Sequence, residues 1–225
     1  MMSSAYQIIT IDGPAGAGKS TVAKELAKIL KFSYLDTGAM YRALTLKAIQ
    51  KNVDLENEEA LAELARQTRI NLEDNAHGIK VYLDNQDVSP DIRSLKVTNN
   101  TFYIASSPKV REIMVSWQRE IGHRKNIVAE GRDLGTVVFP QAAFKFYLDA
   151  QPKERCRRRA NELKQKGIDV KEDQLLLEMS DRDQRDQTRR AGPLKKASDA
   201  VYIDSTHLSV EEVIAEILQY VHKKT

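Results

Sequence analysis

The residues best able to do chemistry stand together near the start of the chain. Gly13-Pro14-Ala15-Gly16-Ala17-Gly18-Lys19-Ser20, followed by Thr21, fit the pattern G-x-x-x-x-G-K-[ST]. Glycines let a backbone wrap closely around a polyphosphate, so that successive N–H groups point inward as an anion-binding concavity. A helix starting at the end of the loop adds its partial positive charge. Lys19 supplies a mobile point charge for the terminal phosphates, and the Ser20 hydroxyl is of the type that ligates Mg2+.

Further charged residues are spaced for related work. Arg42 and Arg132 each follow a short apolar run, and guanidinium groups grip phosphate oxygens in a bidentate fork. They are candidates for a second phosphate site facing the loop; the alternative is a pair of surface ion pairs. Arg155, Arg158 and Arg159 fall at i, i+3, i+4, one face of a helix. A transferring phosphoryl group is a natural counterion for them, as against a solvated face paired with Glu154 and Glu162. Arg182, Asp186 and Arg189 share another face, which a salt-bridged exposed helix would explain equally. Glu130 ends a buried run as a Walker B acid does, and Asp12 precedes the loop; either could hold Mg2+ through water.

These side chains need a frame. Ile8–Ile11 reads as a buried strand, and residues 21–30 are apolar at helical spacing. Phe32–Leu35, Asn126–Ala129, Ala143–Leu148 and Ala200–Ile203 read as four more core strands. Helices are expected over Ala39–Gln50, Asn57–Gln67, from Ser107-Pro108 to Gly122, and over Pro152–Gln165, Lys171–Gln187 and Ser209–Val221. Alternating strands and helices predict an α/β protein with a five-stranded parallel sheet covered on both faces. Between about residues 57 and 107 the texture changes. Short strands at Arg69–Leu72 and Ile79–Leu83, a turn over Glu73–Gly78, a second turn at Asp84–Asp87 and a helix start at Ser89-Pro90-Asp91 suggest an inserted antiparallel meander. An ordinary edge of the main sheet is the alternative. In an open parallel sheet, ligands bind beyond the carboxyl ends of the strands, and the charged groups above stand at those ends.

With 225 residues the chain is one domain, or one core with insertions. No apolar run approaches the roughly 18 residues of a membrane span, and Met1–Gln7 lacks the pattern of a secretory leader. The lone Cys156 forms no internal disulfide. A cytoplasmic protein, and by default a monomer, is expected. Net charge is only +3, but residues 151–196 hold 14 Lys+Arg against 9 Asp+Glu, whereas the rest holds 21 against 23. Such a patch suits nucleotide phosphates or RNA. An Asn-Lys-x-Asp base-reading segment is missing, which argues against a GTPase. Arg132-Asp133-Leu134 is only a fragment of a protein-kinase catalytic loop. A small phosphotransferase with two facing phosphate sites remains.

The resemblance is then specific. Residues 13–21, Leu35–Arg42, Gln86–Ser89 with Ile92-Arg93, Pro108–Glu112, Glu130–Pro140 and Arg182–Asp186 resemble the bacterial cytidylate kinases, over about residues 7–220. The resemblance implies a P-loop NTPase fold with a monophosphate-binding insert at about 57–107 and an Arg-rich lid at about 153–195. It implies transfer of the ATP γ-phosphoryl group to CMP or dCMP with Mg2+, and no nucleic-acid or membrane partner. Residues 13–21 would bind ATP. Arg42 and Arg132 would hold the CMP phosphate, and Thr37, Arg111, Asp133 and Arg189 would surround the cytosine. Arg182 and Asp186 would contact the ribose, with Arg155, Arg158 and Arg159 over the ATP phosphates. Lys19, Arg132 and the lid arginines would stabilise the transition state. An Asp carboxylate favours the exocyclic amino donor of cytosine over the carbonyl of uracil. Phe102 stands where relatives often carry a sugar-contacting serine. Another acceptor (UMP, dTMP, shikimate) or a nucleotide-dependent RNA-binding role are the alternatives.

Overall fold

The computed structural model describes residues 6–75, 78–165 and 167–224. Met1–Ala5, part of the expected leaderless start, and Ala76-His77, in the expected turn, lie outside them. The strands are β1 (Ile8–Asp12), β2 (Ser33–Asp36), β3 (Ile70–Asn75), β4 (Gly78–Leu83), β5 (Gln86–Asp87), β6 (Ile127–Gly131), β7 (Phe144–Asp149) and β8 (Val201–Asp204). The helices are α1 (Lys19–Leu30), α2 (Thr37–Gln50), α3 (Glu58–Arg66), α4 (Leu95–Ser106), α5 (Pro108–Gly122), α6 (Pro152–Gln165), α7 (Glu172–Thr188) and α8 (Val210–Lys224).

Five strands form one parallel sheet in the order β2-β6-β1-β7-β8. The chain leaves β1 toward one side, returns through β6, then crosses to β7 and β8. The strand order therefore reverses at β1, and a crevice opens beyond its carboxyl end. The pleat sends alternate side chains to opposite faces. Ile9, Ile11, Val128 and Phe146 pack with Val22 and Leu26 of α1 and Ile217 of α8. On the other face, Leu35, Ile127 and Ala129 meet Leu44 of α2 and Met114 of α5. Burial on both faces is why these strands read as continuous apolar runs.

The helix starts follow local chemistry. Asp36, Asn57, Ser94 and Ser107 accept the N–H of Ala39, Ala60, Val97 and Val110 respectively, each satisfying an orphan donor of a first turn. Pro108 at the first position of α5 needs no such partner. The antiparallel meander is present as the three-stranded sheet β3-β4-β5, with Val81 and Leu83 packed against Ala43 and Leu46 of α2.

Two local expectations are corrected. The ladder runs from Ile70↔Leu83 to Asn75↔Gly78, so most of the expected turn at Glu73–Gly78 is strand; Asn71 and Glu73 are exposed on either side of half-buried Leu72. The expected helix start at Ser89-Pro90-Asp91 yields only a 3-10 turn, Asp91–Arg93, and the cap of α4 is Ser94. Ser89 is engaged elsewhere, accepting from Val81 N–H and donating to Asp87.

Candidate active site

Beyond the carboxyl ends of β1, β2 and β6 lies a cavity of about 770 Å³. The loop after β1 forms its floor. Gly13 has φ 149°, and a Cβ there would run into the carbonyl of Leu148 on β7, so only glycine lets the loop leave the strand. Gly18, at φ 89°, ends the loop and opens α1. Residues Ala15 to Val22 line the cavity. Gly13 and Pro14 do not line it, and the Pro14 carbonyl accepts from Lys19 Nζ at 2.7 Å. Burial, and then the nearby Arg132 charge, pull the Lys19 pKa down to about 7. That cost is tolerable where an anion is meant to arrive.

Opposite the loop stand Arg42 from α2, Arg132 after β6 and Arg182 from α7, all lining the same cavity. Arg42 pairs with Asp36 at 3.2 Å, while its buried Nε has no protein partner. Arg132 donates from Nε to Asp186 at 2.9 Å; burial opposes its charge, but Asp186 outweighs it and the pKa is raised. Burial and the adjacent Arg132 pull the pKa of Arg182 down to about 10. Three guanidinium groups and one ammonium thus crowd a space into which three carboxylates, Asp36, Glu130 and Asp186, project beside them. The excess positive charge is what a second phosphate would neutralise.

Deeper on the α5 side, Asp133 accepts from Arg111 at Oδ2 and from Arg189 at Oδ1, the latter at 3.2 Å. All three are buried, at 5%, 4% and 8% exposure respectively. Burial pushes the Asp133 pKa up and the two guanidinium groups pull it back. Arg111 also donates to Tyr41 at 3.1 Å, and Thr37 donates to the Glu130 carbonyl at 2.7 Å. The result is a fixed wall of polar groups in which acceptors and donors alternate.

Not every expected residue lies in the cavity. Arg155 turns away from Arg158 and Arg159, because its guanidinium is spent on the backbone carbonyls of Ala150 and Ala15, at 3.0 and 3.1 Å, and on buried Asp183. It braces the loop from behind instead of facing a phosphate. Asp12 likewise does not line the cavity. Its two oxygens accept the N–H groups of Leu134 and Gly135 at 2.9 and 2.8 Å, which pins the π-helical turn Leu134–Val138. Burial raises its pKa to about 6 against those two bonds. Glu130 does line the cavity, as do Ser20, Arg158 and Arg159. Arg158 is held by Glu154 and by Ser205, whose Oγ it reaches at 3.0 Å, and Arg159 pairs with Glu162 at 2.6 Å.

Residues not anticipated also belong here. Ser205, which supports both Arg158 and the Ala17 carbonyl, follows β8; the strand-end rule applied to the fifth strand finds it. Arg157, which with Arg155, Arg158 and Arg159 follows the fourth core strand and so is expected at the ligand end of the sheet, lines the cavity too. From α4 the lining residues are Thr98, Thr101 and Ala105. Phe102 instead lies under the Arg185 guanidinium, 5.6 Å from the ring centre.

A parallel sheet with a glycine-rich phosphate loop at its switch point and a facing cluster of arginines defines a P-loop phosphotransferase. The family model described as cytidylate kinase matches residues 9–223. A cytidylate kinase of Caldanaerobacter subterraneus subsp. tengcongensis is 49% identical over 96% of this chain and 95% of that one. One from Bacillus pumilus is 50% identical over 93% of both chains. The chain belongs to the cytidylate kinase family. Among solved structures, a gluconokinase from Sinorhizobium meliloti covers 97% of this chain and 93% of its own at 12% identity and a TM-score of 0.50, a likeness of fold. Among the described residues no helix is long and apolar enough to cross a membrane.

Proposed function

We infer that the protein transfers the γ-phosphoryl group of ATP to CMP or dCMP, releasing ADP and CDP or dCDP. The observation that carries this reading is the convergence of Arg42, Arg132 and Arg182 on the cavity that the phosphate loop floors. In this reading, residues 13–21 hold ATP. Arg42 and Arg132 clamp the acceptor phosphate, and Arg182 and Asp186 meet the ribose. Thr37, Arg111, Asp133 and Arg189 surround the base. The Asp133 carboxylate keeps lone pairs beyond its two arginine bonds, and an exocyclic amino group suits them where a uracil carbonyl does not.

No covalent intermediate is needed. The residues align donor and acceptor phosphates, neutralise charge and exclude water. Lys19 and Arg132 sit between the two phosphate positions, and Arg158 and Arg159 reach in from α6. Residues 57–107 serve as the acceptor-side insert and 153–195 as a lid whose closure protects ATP from hydrolysis. Mg2+ bound with the nucleotide supplies charge neutralisation at the phosphate oxygens. The exposed Ser20 hydroxyl and the Glu130 carboxylate form an all-oxygen donor set in the same cavity, which suits that ion; Ser20 would ligate it directly and Glu130 through water.

Titration calorimetry tests the two-sided site. With Mg2+ removed by chelator so that no transfer occurs, ATP and CMP should bind together, with Lys19→Ala weakening ATP and Arg132→Ala weakening CMP. Mutual displacement of the two nucleotides would defeat the reading.

A further inference from the structure

Tyr34 lies on β2, facing α1, in the core cluster that contains Val22 and Leu26. Its ring is buried but its hydroxyl is polar, and the hydroxyl donates to Glu130 Oε1 on the neighbouring strand. The register explains the meeting. Tyr34 is paired with Val128 and Asp36 with Glu130, so the phenol reaches along the strand direction to the carboxylate two residues on. The Lys24 ammonium stands 5.7 Å from the ring centre. Ser20, Lys24 and Glu130 all line the cavity; Tyr34 does not.

The phenol donates its one proton to one oxygen of Glu130 and so restricts rotation of the carboxylate. We propose that Tyr34 is a positioning residue for the metal side of the site: its hydroxyl holds the Glu130 carboxylate in place beside the Ser20 hydroxyl that lines the same cavity. Glutamate rather than a shorter acid at position 130 suits this link, since the carboxylate must reach across to β2. Groups one layer behind a metal ligand commonly change metal affinity by about 10–100-fold when removed.

The inference rests on the reading of Ser20 and Glu130 as the Mg2+ side of an ATP site. Tyr34→Phe keeps the ring and removes only the link. The measurement is ATP binding by calorimetry, with saturating Mg2+ and with chelator, alongside CMP binding. In the unaltered protein Mg2+ should tighten ATP binding. In Tyr34→Phe that gain should fall about ten-fold or more, with metal-free ATP and CMP affinities unchanged. In a Glu130→Gln background, adding Tyr34→Phe should cost less than three-fold further. An unchanged Mg2+ gain in Tyr34→Phe, or an equal loss of metal-free ATP, Mg·ATP and CMP binding, would overturn the proposal. An additive loss on top of Glu130→Gln would do the same. If Mg2+ gives no gain even in the unaltered protein, the metal reading itself fails, which is a different result from a gain that survives loss of the phenol.

Discussion

Removal of the Asp133 carboxylate tests both the fold and the selectivity of the site. Asp133 is the only carboxylate bonded to Arg111 and Arg189 among the described residues, and both arginines are buried. Asp133→Ala therefore leaves two desolvated guanidinium groups without their partner. Breaking one buried pair costs about 3–5 kcal/mol. The Tyr41 ring, 5.6 Å from the Arg111 guanidinium, and Asp186 near Arg189 keep the second charge from doubling that. For a chain of this length each kcal/mol lowers Tm by about 2–4 °C, so the loss should be roughly 6–20 °C. Urea unfolding followed by circular dichroism reads the same quantity as a shifted midpoint at constant slope. Replacing the group entirely, with Arg111→Met, Asp133→Leu and Arg189→Met together, should recover most of that stability. It should not recover preference for CMP over UMP. A loss under about 1 kcal/mol in Asp133→Ala would show that the triad is not a buried charge cluster. An unchanged CMP-to-UMP ratio would remove Asp133 from base reading.

Other outcomes follow from the same geometry. Arg159→Ala should lower kcat far more than it raises KM for CMP; equal weakening of both substrates with kcat intact would refute its role over the transferring group. Lys19, with a pKa pulled to about 7 by burial and Arg132, is mostly neutral at pH 8 in the free protein and should be charged against a phosphate. ATP binding at pH 8 should therefore take up protons, and the uptake should fade by pH 6; calorimetry in buffers of different ionisation enthalpy would contradict this by showing none. Gly192→Ala should destabilise by about 1–3 kcal/mol and weaken CMP, because Gly192 has φ 57° and a Cβ would press on Arg111 and Asp133; a neutral effect in thermal unfolding would show that the Gly192 turn yields. Arg155→Met should disturb ATP binding through the Ala15 carbonyl while leaving CMP binding unchanged; a selective loss of CMP binding would contradict the bracing role.

The frame of this site was legible because its signals are local. Residues in β1, β6 and β7 are buried on both faces and mostly apolar, so their runs stood out, and Ser107-Pro108 marks the start of α5 without any tertiary information. The phosphate loop carries its own chemistry. Helix α4 was only hinted at, since Thr98-Asn99-Asn100-Thr101 are poor helix formers and the helix is held by packing of Val97 and Ile104. Side-chain direction was the least legible. Arg155, Arg158 and Arg159 share a nominal face, yet Asp183, distant in sequence, captures the first. The backbone bonds of Asp12 to Leu134 and Gly135 join residues more than a hundred positions apart and leave no local trace. Tyr34 reads as a core strand residue, and only the pairing of β2 with β6 brings its hydroxyl to Glu130.

The central claim is that one cavity joins ATP at the loop to a cytidine monophosphate held by the facing arginines. Its most direct test is ADP release from ATP and Mg2+ with a panel of acceptors: CMP, dCMP, UMP, dTMP, shikimate and cytidine itself. Turnover should be fast with CMP or dCMP, much slower with UMP and dTMP, and absent with shikimate and with cytidine, which lacks the phosphate that Arg42 and Arg132 are proposed to grip. Equal turnover with cytidine, or a preference for shikimate or dTMP over both cytidine monophosphates, would contradict the account.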